Sequence, residues 1–160
     1  MTSAALIRLT LSALAPACAA RNAKLYCSTT LREALVALYD GPSGFLVAVV
    51  PGDEAADADA AVDELQVVQP EISVIVAHRL PPTAQPNQAL YEDVTGMPPF
   101  LDLVDEIRDA VRAMDLPAGE TGGLWRYAGR RRAVLDGQDM PAFRLDFAVD
   151  VALPPAADGD

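Results

Sequence analysis

The chain has 160 residues, is 51% hydrophobic and carries 12 basic against 23 acidic side chains, a formal charge of −11. That apolar share excludes a disordered chain, and the length predicts one domain over residues 1–155. The acidic balance argues against wholesale binding of nucleic acid or an anionic membrane, because the field of the whole protein would repel both.

Leu6, Leu9 or Thr10, Ala13 and Leu14 recur at helical spacing, so residues 2–15 read as an amphipathic helix ended by Pro16. "LSALAPACAA" places Cys18 as in a lipoprotein cleavage site, but the basic leading region is missing and Arg8 interrupts the apolar stretch. No run approaches the ~18 apolar residues of a membrane span, so a soluble chain made in the cytoplasm is expected. Cys18 and Cys27 fit no zinc or redox spacing and read as thiols in a reducing compartment. Leu31, Leu35 and Leu38 mark a short helix over residues 30–38, with Thr30 and Glu33 as a capping box. "YDGPSG" ends it, and "FLVAVVPG", residues 45–52, reads as a buried strand.

"DEAADADAAVDE", residues 53–64, has six acids and no base. A calcium loop fails there, because Ala55 stands at its third position and Ala58 replaces the turn glycine. A solvated acidic loop is expected, since crowded carboxylates repel and nothing apolar pins them. Residues 65–80 form a long strand in which Pro70 marks a bend or edge. Residues 81–99 are a proline-spaced connection, long enough to be a contact arm. Phe100, Leu103, Val104, Ile107, Val111 and Met114 then make one stripe of an amphipathic helix. "LWRYAGRRRAVL" and "PAFRLDFAVDVAL" flank "DGQD", a hairpin signal. Residues 156–160 are an acidic tail. The fold class is α+β: helices packed on one face of a mainly antiparallel sheet, the other face open, with a C-terminal β-hairpin.

No nucleophile motif, phosphate-cradling glycine loop or metal-ligand spacing is present, and the lone His78 has no Cys, Asp or Glu at ligand spacing. The chain is therefore read as a non-enzyme with no cofactor and no metal. What remains is surface. "WRYAGRRRAV", residues 125–134, gathers four of the twelve bases. Charge on an edge strand resists aggregation; alternatively, guanidinium groups pair with carboxylates of a second copy. Strand alternation puts Arg130 and Arg132 on one face and Arg131 on the other. Asp57, Asp59 and Asp63 are candidate counterparts.

The opening helix, "VVQPEISVIVAHRL", "FLDLVDEIRDAVRAM" running into "LPAGETGG", and the closing "FRLDFAVDVALP" together resemble the tail-completion or tail terminator proteins of tailed bacteriophages, in particular the Mu-like type. The resemblance spans residues 64–155 and rests on hydrophobic pattern and element order. It implies a virion protein at the tail or neck that caps the tail tube as a ring, commonly a hexamer. Such a ring stops tube growth and offers a surface to the head-side connector, while DNA passes through the lumen without specific binding. Another neck component, a connector or stopper, fits the same signals, as does a small cytosolic ligand-binding or regulatory α+β domain.

Overall fold

Strand-forming sequence on either side of residues 63–64 sets the frame. In the computed structural model, which describes residues 1–39, 43–62, 65–81, 84–94, 96–117, 121–133 and 141–153, β2 (Gly44–Val62) and β3 (Leu65–Arg79) form a long antiparallel ribbon. A short β1 (Lys24–Cys27) lies parallel to β2, and α2 (Leu31–Tyr39) is the crossover between them. The helix α1 (Ser3–Ala20) opens the chain, and α3 (Phe100–Arg112) follows the long connection. The strands β4 (Arg126–Arg132), β5 (Ala142–Ala148) and β6 (Val151–Leu153) close it. The sheet order is β1-β2-β3-β5-β4, with β6 also paired to β3. Every pairing except β1 with β2 is antiparallel, so the class is α+β with a C-terminal hairpin, as the sequence indicates.

Period-two alternation sorts the sheet into two apolar faces. Phe45, Val47, Val49, Val74, Val76, Leu145 and Phe147 meet Leu6 and Leu14 of α1 and the full stripe of α3. Leu46, Ala48, Val50, Ile75, Ala77 and Ala142 point the other way and receive Ala34 and Leu35 of α2. Two helices thus share one face, and α2 covers part of the opposite one. The parallel β1–α2–β2 crossover is what carries α2 there. The rest of that second face, around Ser73, Arg144 and Asp146, carries no helix among the described residues.

Several elements differ from the sequence reading, each for a physical reason. The first helix runs through Pro16 to Ala20. Pro16 and Ser12, whose carbonyl loses its hydrogen bond, are both exposed, so the loss falls on the solvent side. At 18 residues and a mean hydropathy of 1.5, α1 is also long and apolar enough to cross a membrane, by length and composition. Its stripe of Leu6, Thr10, Leu14 and Cys18 is nevertheless buried in the fold. Residues 53–62, read as a loop, are the outer part of β2, where residues 54–57 pair with residues 67–70. The ladder with β3 holds one side of the backbone, while Asp53 and Glu54 stay exposed to solvent, so their repulsion does not open the strand. The return strand is also split. Pro70 of β3 lies level with Val149 and has no N–H to donate, so pairing is interrupted between β5 and β6. In the 81–99 connection, Ala89 is buried on a short 3₁₀ turn at Gln88–Leu90, and Leu90 and Met97 pack on the core. The "DGQD" turn and the 156–160 tail lie outside the described residues.

Candidate functional site

The arginine strand β4 forms one edge of the sheet. A bulge between Tyr127 and Gly129 shifts its register against β5, and Gly129 takes the positive φ of 150° that the bulge requires. Beyond it the alternation is regular. Arg130 turns toward the helical face, its guanidinium 5.2 Å from the Phe143 ring centroid and 3.6 Å from an Asp105 carboxylate oxygen on α3. Arg131 turns to the opposite face and donates to Asp146 at 2.7 and 3.0 Å. Arg132 lines a cavity of about 290 Å³ with Pro86, Asn87, Leu90 and Phe143. Arg126 reaches Asp150 at 2.7 Å, tying β4 to the β5–β6 join.

Asp146 organises the open face. Besides Arg131 it accepts from Ser73 Oγ at 2.7 Å and from Arg144. Burial pushes its carboxyl up, but hydrogen bonds from Ser73, Arg131 and Arg144, together with the Arg144 charge, outweigh that and hold it below the ordinary Asp value. One carboxylate cannot saturate two guanidiniums of five donors each. Arg131 remains 68% exposed and can still take a second acceptor. Among the described residues this surface is a network of guanidinium and hydroxyl donors gathered on one carboxylate.

The acidic counterparts sit elsewhere. Asp57 lies on the backbone of β2 opposite Val67, and Asp59 lies further along the same strand; their side chains, and all of Asp63, fall outside the described residues. Two strands, β3 and β5, separate β2 from β4, which is about 14 Å at ~4.8 Å per strand spacing. Within one protomer Arg130 therefore meets Asp105 and Arg131 meets Asp146 instead. Two residues apart on β5, Arg144 and Asp146 share one strand face; which carboxylates face β4 depends on long-range packing of α3 and β5.

His78 is fully buried. Its ring packs against both Phe45 and Phe100, with Nε2 3.3 Å from Met97 Sδ and no partner at Nδ1 among the described residues. Among the described residues no three His, Cys, Asp or Glu side chains are grouped to hold a metal ion. Cys18 is buried, which raises its thiol to about 11, and Cys27 is exposed; both are free thiols.

No protein-family model and no curated protein matches the sequence. Among solved structures, a chain in the virion of a native gene transfer agent particle superposes with a TM-score of 0.52 at 17% identity, covering 91% of each chain. The two share a fold. A histidine kinase from Burkholderia phymatum STM815 aligns at 15% identity over 92% of this chain and 69% of that one, with a TM-score of 0.34, below the level of a common fold.

Proposed function

We propose that this chain is a structural protein of a phage-like particle and that it caps the tail tube as a ring, ending tube growth and presenting a surface to the head-side connector. The observation that carries this reading is the end-to-end likeness, over 91% of both chains, to a component of a gene transfer agent virion. The tail terminator role itself is taken from the sequence resemblance over residues 64–155. A sheet with one basic edge and acids on a distant strand supports head-to-tail contact between copies, which closes into rings when the rotation allows. The role needs no turnover, only complementary walls. A ring built from protomers of charge −11 repels DNA and lets it slide through the lumen.

Purified chain added to growing tail tubes tests the proposal. The expected result is tubes of limited length with this protein at one end only, seen by negative-stain microscopy. Binding to empty heads but not to tubes would move the chain to a connector or stopper role. A chain that stays monomeric and ignores both would overturn a virion role. Reversing Arg130, Arg131 and Arg132 to Glu together should weaken the ring at least about tenfold in native mass spectrometry, since charge pairs across interfaces reach several kcal/mol.

A further inference from the structure

The sheet ends in two unpaired backbone edges. On one side β1 covers only Leu46–Val49 of β2, so from Val50 to Val62 no described strand lies against that side of β2. On the other side β4 pairs with β5 alone. The directions in which the backbone groups point can be read from single hydrogen bonds. Pro70 accepts from Val149 N, so Pro70 faces β5, and Glu54, directly opposite it on β2, points its N–H and C=O outward; so does Ala56, two residues on. Ser28 N donating to Val49 O shows the same outward side on the inner half of β2. At the far edge, Ala133 N donates to Ala142 O, so Arg130, three residues earlier, directs its backbone away from β5.

The two edges also differ in sequence charge. The open stretch of β2 carries Asp53, Glu54, Asp57 and Asp59 and no base; β4 carries Arg126, Arg130, Arg131 and Arg132 and no acid. Three antiparallel pairings separate β2 from β4, so the two strands run in opposite directions. A second copy placed head to tail, sheet faces aligned, therefore presents β4 antiparallel to the β2 edge.

Resting on the ring proposed above, we propose that β4 of one copy adds as a strand to the open β2 edge, residues 50–62, of the next, making one sheet continuous around the ring. Main-chain hydrogen bonds would supply the pairing and the opposite charges its choice of partner. Acids on β2 then guard the edge against random strands and admit an arginine strand. Within a protomer β4 stands level with the inner half of β2, through residues 71–77 of β3. Successive copies must step along the strand direction, so the strands lean against the ring axis as in a barrel.

Amide exchange on the wild-type chain, as protomer and as ring, tests this. New protection should appear in both residues 50–62 and residues 126–132. Rings that form without it overturn strand pairing while leaving the ring itself standing; a wild-type chain that forms no ring even on tube ends overturns both. Ala56→Pro removes one outward N–H and blocks the edge while leaving the β2–β3 ladder intact, and should weaken ring formation at least about tenfold. Arg130→Glu with Arg131→Glu should do the same, and adding Asp53→Arg with Glu54→Arg should restore assembly. A protomer of unchanged melting temperature whose assembly ignores all three changes overturns the inference.

Discussion

His78 lies with its ring centroid 4.4 Å from that of Phe45 and 5.7 Å from that of Phe100. Burial disfavours its charged form and lowers its pKa from 6.5 to about 4. The unfolded chain takes up this proton near pH 6.5 and the folded chain only near 4, so acid favours unfolding. Stability is complete above pH 6.5 and falls by about 3 kcal/mol as the pH drops from 6.5 to 4. Carboxylates with lowered pKa, such as Glu106 beside Arg21, begin to lose their contribution only below their ordinary value of 4.5. The two windows therefore separate. Urea unfolding at several pH values should show the slope between 6.5 and 4.5, and His78→Phe should flatten it. A variant with the wild-type slope would remove burial of this imidazole as the cause. The sequence placed His78 at a strand end without a metal set around it. It could not show the cage, since Met97 comes from the long connection and Phe100 from a helix more than twenty residues on.

Among elements, the β2–β3 ribbon is the longest strand pair of the sheet, and Gly52 sits in a register shift within it. A register shift lies between Pro51 and Glu54, and a Cβ added at Gly52 would come within 2.9 Å of Glu71 Cβ and 3.1 Å of Glu71 O. Because the obstacle is backbone as well as side chain, β2 must move away from β3 to admit it. Gly52→Ala should cost about 1–3 kcal/mol, measured by thermal unfolding, with amide exchange rising in residues 53–57 ahead of the core; an unchanged melting temperature would show that the bulge yields freely. Long, strongly periodic elements were legible in the sequence. The α3 stripe is buried from Phe100 to Met114, and Thr30 Oγ1 accepts from Glu33 N at 3.0 Å as the capping box requires. What escaped were elements fixed by neighbours. The four residues of β1 carry no period of their own and become a strand because β2 offers an edge. The acidic half of β2 is held by β3 against its local composition.

For the whole molecule, the ring proposed above requires that a chain of charge −11 associate with itself. A globule of this length has a radius of gyration of about 15 Å, which puts neighbouring centres roughly 40 Å apart. At 0.01 M salt the screening length is about 30 Å, so protomers feel one another's net charge; at 0.15 M it is about 8 Å, and only contact pairs still act. Near 1 M it shrinks to about 3 Å, and exposed pairs such as those Arg131 can offer are screened as well. Net repulsion and local complementarity thus fade at different salt concentrations. Self-association, followed by sedimentation velocity from 0.01 to 1 M NaCl, should rise toward ~0.15 M and then fall. The triple Glu variant at Arg130, Arg131 and Arg132 should lose the fall at high salt, because it has no complementary contact left to screen. Wild-type association that only strengthens up to 1 M would mean that the copies meet through apolar surface, and the arginine edge would then serve solubility alone.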